Sequence, residues 1–272
     1  MKLGIIAGNR NFPLVLAQNI KTHHKDIHVT AFCFKGETSR SISRYVDTTL
    51  WLGVGKLGDL RDAILAQGVT QCIMAGQISP WRIFDKRHWD RELLSLVDTV
   101  KDFRPHAIFG EIIHYLEARG ITFLDSTTYL AEYLATGEFM NACALSRECQ
   151  DDVNYGVGAI SRFVELDVGQ TIVVKKTSVV ALEALEGTDN TIKRGASIAG
   201  GGCVVLKFSK KNQDVRFDVP VVGPSTVRLL GRIRAAALVL ECGRVLILEK
   251  EQFLRHAQHH RIAVIGAERK GS

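Results

Sequence analysis

Asp189, Asp214 and Asp218 fall within one stretch, Gly169–Thr226, together with the glycine run Gly200-Gly201-Gly202. Carboxylates are hard oxygen ligands suited to Mg²⁺. Glycine-rich backbone lets N–H groups approach phosphate oxygens with no Cβ in the way. The acidic turns (Glu186-Gly187-Thr188-Asp189-Asn190 and Asp214-Val215-Arg216-Phe217-Asp218) and the glycine turn alternate with apolar, β-like runs at Thr171–Val174 and Val204–Phe208. The combination suits a site for a metal ion and a phosphate. A single Asp in a turn is more often a cap or a solvated side chain, so the reading rests on the joint pattern. Thr188 has two readings, a phosphate contact and the N-cap of a helix over Asp189–Ser197.

A second candidate anion cradle opens the chain. Lys2–Ala7 (KLGIIA) reads as a buried parallel strand, followed by Gly8-Asn9-Arg10-Asn11 and a helix starting near Pro13, whose missing N–H costs nothing there. A strand, a Gly-containing turn and a helix N-terminus can hold an anion; the bland alternative is that Gly8 only makes a tight turn. Further strands at His28–Phe34, near Thr48–Gly53 and at Gln71–Ala75, with a helix at Leu57–Gln67, predict a doubly wound parallel sheet. Loops at the carboxyl ends of such strands face a ligand, which brings in Gly76-Gln77-Ile78-Ser79. The following Pro80–Trp89 segment mixes aromatics with cations and suits either an acyl chain or a membrane headgroup boundary, or a plain surface loop. Neither familiar nucleotide motif is present. Gly4 and Gly8 do not make G-x-G-x-x-G, the second strand ends at Phe34-Lys35 where a ribose-binding acid is wanted, and Gly53-Val54-Gly55-Lys56-Leu57 lacks the Walker spacing.

A helix at Ile108–Arg119 capped by Gly120, a strand at Ile121–Leu124 and a helix from Thr127 complete a first domain. The expected division is an N-terminal Rossmann-like domain over 1–135, a linker region over 136–149 and a C-terminal α/β domain over 150–272. The second domain is expected to open on a helix at Asp151–Glu165. Strands follow at Gln170–Val174, Val179–Leu185, Val204–Phe208, Ala237–Leu240 and Ile262–Ile265, with helices at Thr226–Ala236 and Lys250–His260.

Composition bounds the class. With 272 residues, 46% hydrophobic and 24% charged, the chain reads as globular rather than disordered. The six cysteines are scattered without a C-x-x-C pair, which points to reduced thiols. Met1–Ala7 lacks the regions of a signal peptide, and no apolar run approaches the roughly 20 residues of a membrane span. A soluble cytoplasmic protein is expected. A net charge of +6 favours anionic partners. No Lys/Arg block or aromatic RNA-binding motif is present, so a small anionic ligand ranks above nucleic acid, and no nucleic-acid partner is expected. His256, His259 and His260 have a spacing that can bind a metal, though no companion ligand is evident and an exposed polar face explains them as well.

Gly4–Pro13 (GIIAGNRNFP), Gly169–Lys175 (GQTIVVK), Glu186–Asp189 (EGTD), Gly201–Lys207 and Gln213–Thr226 (QDVRFDVPVVGPST) resemble the LpxI-type UDP-2,3-diacylglucosamine pyrophosphatases of lipid A synthesis, over nearly the whole chain. The resemblance implies a Rossmann-like N-terminal domain, a C-terminal α/β domain and a substrate site between them. It implies a Mg²⁺-dependent hydrolase that releases UMP and 2,3-diacylglucosamine 1-phosphate, with water attacking the β-phosphorus. A lipid substrate at the inner membrane surface and a homodimer are further expectations from it; a non-catalytic nucleotide-sugar or lipid binder on the same scaffold is the alternative.

Carried onto this sequence, the resemblance makes Asp218 the first choice for catalytic acid and metal ligand, since the family's critical acid aligns there. Asp189 is a second candidate for both roles, and Asp214 a further metal ligand. Gly8, Asn9, Arg10, Gly76, Gln77, Lys175, Thr188, Gly201, Lys207 and Arg216 are the candidate substrate-binding residues, with Arg216 and Lys207 preferred over Lys193 for the diphosphate. One departure stands out. The family usually has a glycine run where this chain has Gly8-Asn9-Arg10-Asn11, and Arg10 either adds a charge-assisted contact or obstructs the loop.

Overall fold

The computed structural model describes residues 1–79, 82, 85–98, 100 and 105–271. Four residues of the aromatic and basic segment singled out above, Pro80, Trp81, Ile83 and Phe84, lie outside the described residues. The chain forms two compact units, one of residues 1–130 with 215–218 and one of residues 131–214 with 219–272.

The first unit is built on β1 (Lys2–Ala7), β2 (His28–Phe34), β3 (Thr48–Leu52), β4 (Gln71–Ala75) and β5 (Thr122–Phe123), paired in parallel in the order β3-β2-β1-β4-β5. Runs such as Leu3–Ala7 and Val29–Cys33 are buried throughout, as strands covered on both faces require. The helices are α1 (Phe12–His23), α2 (Leu57–Ala66), α3 (Arg91–Asp98) and α4 (Pro105–Glu117). Strand order runs outward in one direction through β1, β2 and β3, then reverses at β4, so the β1/β4 junction is a topological switch point.

The helix expected from Thr127 does not form. Asp125 Oδ1 accepts hydrogen bonds from the Thr127 N–H and hydroxyl, both at 2.7 Å, and the chain continues as turns into one 3₁₀ turn at Ala131–Tyr133. Short Asp and Thr side chains offered the backbone a local alternative to the helical ladder.

The second unit contains β6 (Glu138–Phe139), β7 (Thr171–Lys175), β8 (Ser178–Leu182), β9 (Val204–Lys207), β10 (Val221–Val222), β11 (Ala237–Glu241), β12 (Leu246–Ile247) and β13 (Ala263–Ala267). Six of these make a mixed sheet in the order β6-β13-β11-β9-β7-β8, and β10 pairs β12 separately. Strands β9, β11 and β13 are parallel, while β7 runs antiparallel to β9. Helices α5 (Arg147–Phe163), α6 (Thr188–Ala199), α7 (Pro224–Arg232) and α8 (Lys250–His259) complete the unit. Side chains alternate along the strands. Val173, Val205 and Leu238 join the core with Ile192 of α6 and Phe253 of α8, whereas Ile172, Val174, Leu206 and Val239 join Val153, Val157 and Ile160 of α5.

Residues 136–149 supply β6 and, through Ser146, whose hydroxyl accepts from Cys149 N at 3.2 Å, the start of α5. Among the described residues no helix is long and apolar enough to cross a membrane.

Candidate functional site

At the switch point, the turns after β1 and β4 touch. Gly8 N–H donates to Ala75 O at 2.8 Å and Asn9 N–H to Gln77 O at 2.7 Å. A Cβ on Gly8 would lie 2.4 Å from Gln77 O, and Gly76 sits at φ 88°, so both glycines are required by the close approach of the two turns. Arg10 is exposed and left-handed at φ 65°. The chain therefore keeps a glycine-type backbone where the LpxI-type pattern has glycine, while carrying a cation on it. This brings together five candidate substrate contacts, Gly8, Asn9, Arg10, Gly76 and Gln77.

Glu37, which sequence reasoning missed, organises these turns. Its side chain is 2% exposed. It accepts from Asn9 Nδ2 (2.6 Å), Ser79 N (2.9 Å) and Ser79 Oγ (3.0 Å), and pairs with Arg82 Nε at 2.9 Å, although that N–H is not aligned for a hydrogen bond. The second strand ends at Phe34-Lys35 without an acid, and this carboxylate lies three residues beyond Phe34. The following Thr38 hydroxyl donates to Ala7 O and accepts from Phe34 N at 2.9 Å, which curls the chain back over β1.

A segment from the rear of the sequence completes the first unit. Ser126 N donates to Val215 O (3.0 Å), and Ser126 Oγ lies 2.7 Å from Met74 O and 2.8 Å from Arg216 O, so residues 215–218 are stitched beside the carboxyl end of β4. Phe217 packs on that unit's core and stacks at 5.8 Å on Phe109. Arg216 is paired with Glu117 at 2.9 Å. Asp218, at the end of this segment, is half-buried and makes no hydrogen bond or ion pair among the described residues. An acid two residues beyond the anchored Arg216 backbone, and without a side-chain partner among the described residues, is available to a ligand.

In the second unit the remaining candidates separate. Register places Thr171, at the start of β7, opposite Lys207, at the end of β9. There Thr188 Oγ1 lies 2.7 Å from Lys207 Nζ, 3.1 and 3.2 Å from the two Glu183 oxygens, and 3.2 Å from Thr171 Oγ1. Thr188 is the first residue of α6, not its cap, which is Gly187. The competing contacts draw its hydroxyl away from the helix end. Lys207 and Glu183 are buried at 3% and 7% exposure.

Lys175 lies at the other end of β7, bonded to Gly202 O at 2.9 Å, with Gly201 nearby against Arg234. Asp189 is exposed in the first turn of α6, and Lys193 is exposed too. Asp214 is half-buried and has interaction partners. Glu186, in the turn before α6, is held down to about 2 chiefly by the Arg194 guanidinium, helped by backbone N–H donors. Burial pushes the Cys33 and Cys72 thiols up to about 12, so they are neutral and not nucleophiles. His259 and His260 stack edge to face at 5.2 Å, and among the described residues no three His, Cys, Asp or Glu side chains group as a metal cage.

These features define a two-unit α/β protein with interlocked glycine turns at a parallel-sheet switch point and an unpaired carboxylate stitched to the same unit. The model of the LpxI N-terminal domain matches residues 2–133 and that of the LpxI C-terminal domain residues 137–265. The chain belongs to the LpxI family. It is 25% identical over 277 aligned positions to the UDP-2,3-diacylglucosamine pyrophosphatase LpxI of Caulobacter vibrioides, covering 98% of both chains. Two solved structures are more distant. A precorrin-6A reductase, CobK, is 13% identical at TM-score 0.32, covering 100% of this chain and 89% of that one. The biotin carboxylase domain of a thermophilic 2-oxoglutarate carboxylase is 11% identical at TM-score 0.26, covering 63% of this chain and 34% of that one. Likenesses that low carry neither fold nor function.

Proposed function

We propose that this protein hydrolyses the diphosphate of UDP-2,3-diacylglucosamine to UMP and 2,3-diacylglucosamine 1-phosphate. The observation that carries the reading is the match along 98% of both chains to a relative named for that pyrophosphatase activity. The unpaired Asp218 carboxylate supports it from the side of the site.

Mg²⁺ is the proposed cofactor, and the donor chemistry fits it. Mg²⁺ is commonly bound by one or two carboxylates together with substrate phosphates and water rather than by an all-protein cage, and Asp218 is a carboxylate with no internal partner. Asp218 would hold the ion, with Asp189 and Asp214 as further proposed ligands. When bound, the ion neutralises the diphosphate and lowers the pKa of water. The chain's own residues then orient the reactants. Asp218 accepts a hydrogen bond from the attacking water and receives its proton. The N–H groups around Gly8, Asn9, Gly76 and Gln77 and the Arg10 guanidinium contact the nucleotide end. Thr188, Lys207, Arg216, Lys175 and Gly201 are proposed contacts to phosphate and sugar. Attack breaks the bond between the β-phosphorus and the bridging oxygen, which leaves with UMP. A cytoplasmic protein working at the inner membrane surface as a homodimer completes the proposal.

The test is release of UMP from UDP-2,3-diacylglucosamine with Mg²⁺, its loss on adding EDTA, and a fall of at least about 100-fold in Asp218→Ala, as expected for a group acting on the reacting atoms. Substrate binding without UMP release would make this a non-catalytic nucleotide-sugar or lipid binder.

A further inference from the structure

Glu37 is a buried carboxylate with no part in the proposed chemistry, yet it gathers donors from two different turns at the switch point. Asn9 Nδ2 reaches it from the turn after β1, and Ser79 N and Oγ from the turn after β4, at 2.6, 2.9 and 3.0 Å. Asn9 Nδ2 also lies 3.4 Å from Ser79 Oγ. A side-chain amide can ordinarily be turned either way. Here the same Glu37 oxygen also accepts from Ser79 N and Oγ, and its carboxylate is paired with Arg82, so it faces the NH₂ group of Asn9 as an acceptor. The carbonyl Oδ1 of Asn9 is then directed away from Glu37; it is buried and has no hydrogen-bond partner among the described residues. A buried acceptor left unpaired is unfavourable and becomes satisfied once a donor arrives.

We infer that Glu37 is a positioning residue that fixes the Asn9 amide, so that Asn9 Oδ1 reads a neutral hydrogen-bond donor on the nucleoside half of the ligand. The inference rests on the nucleotide reading given above. Access to Oδ1 comes with movement of the Gly8–Arg10 turn. Three groups on the nucleoside half of a uridine nucleotide have the required chemistry, the imide N–H of the base and the ribose 2′- and 3′-hydroxyls. The imide is a donor only and demands an acceptor.

The experiment is calorimetric titration of the full-length protein with UMP, N3-methyl-UMP, 2′-deoxy-UMP and 3′-deoxy-UMP, on wild type, Glu37→Gln and Asn9→Ser. Loss of one hydrogen bond corresponds to about tenfold in affinity. Wild type is expected to bind one analogue about tenfold more weakly than UMP, and the analogue that suffers identifies the donor. Glu37→Gln, which sets an NH₂ group against the same donors, and Asn9→Ser are expected to bind UMP about tenfold more weakly and to lose most of the discrimination. A merely structural Glu37 would lower the melting temperature but leave the discrimination ratio intact, and that outcome overturns the inference. Equal wild-type affinity for all four nucleotides overturns it too. Turnover of UDP-2,3-diacylglucosamine, measured in parallel, stands or falls separately: an active enzyme blind to all three analogues refutes the Asn9 reading alone.

Discussion

Thr188 shows how much one atom can be asked to do. Its hydroxyl has a single proton, so it can accept from Lys207 and donate to only one of Glu183 and Thr171. The two charged side chains it joins are almost wholly buried. Thr188→Val keeps the shape and removes the bridge, and we expect a loss of about 1–3 kcal/mol, read as a lower urea midpoint at unchanged m-value. Asp218 behaves in the opposite way. It is half-buried and makes no hydrogen bond or ion pair among the described residues, so Asp218→Ala should shift stability by no more than about 0.5 kcal/mol while turnover collapses. Thermal melts run beside the UMP assay would separate a chemical role from a scaffolding one.

At the scale of elements, the entry to α6 is set by Glu186. Its carboxylate accepts from Ala184 N at 2.9 Å and pairs with Arg194. Its folded pKa, about 2, lies below the ordinary 4.5. A depressed carboxylate contributes stability above its unfolded pKa and loses it as pH falls through the folded one. The contribution is therefore present at neutral pH and disappears between about pH 4.5 and about pH 2. NMR titration should place Glu186 near 2 in wild type and higher, part of the way back toward 4.5, in Arg194→Ala, because the backbone donors remain; a midpoint unmoved by the substitution would remove Arg194 as the cause.

The elements themselves were largely legible. Lys2–Ala7, His28–Phe34 and Gln71–Ala75 form strands over the spans their apolar runs mark, because a parallel strand buried on both faces writes an uninterrupted hydrophobic signal. The two-residue strands β6, β10 and β12 are too short to write any period. The Thr127 helix failed because side-chain bonding from Asp125 competed with it. For the candidate site, sequence marked the glycine turns and Asp218. It could not mark Glu37, whose importance lies in donors 28 and 42 positions away along the chain. Nor could it show that Lys175 and Lys207 lie at opposite ends of the neighbouring strands β7 and β9, which depends on strand direction.

At the scale of the whole molecule, the two units are not two consecutive pieces of chain. Residues 215–218 belong to the first unit, and Phe217 contributes to its core. A fragment of residues 1–134 should therefore melt at a lower temperature than the same unit in the full chain and bind a hydrophobic dye through the surface Phe217 leaves uncovered. A peptide of residues 213–220 should restore part of the lost stability in trans, and the same peptide with Phe217→Ala should not. Equal rescue by both peptides would show that the stitching at Ser126, not the aromatic contact, holds the segment.

That borrowed tetrapeptide limits how such a gene can be inherited in parts. The boundary between the two family domains falls between residues 133 and 137, yet recombination there would give the front module a new companion and leave its Phe217 and Asp218 behind with the old one. Mosaic descendants of this lineage should be viable only when both halves travel together, or when the incoming half brings an equivalent insert.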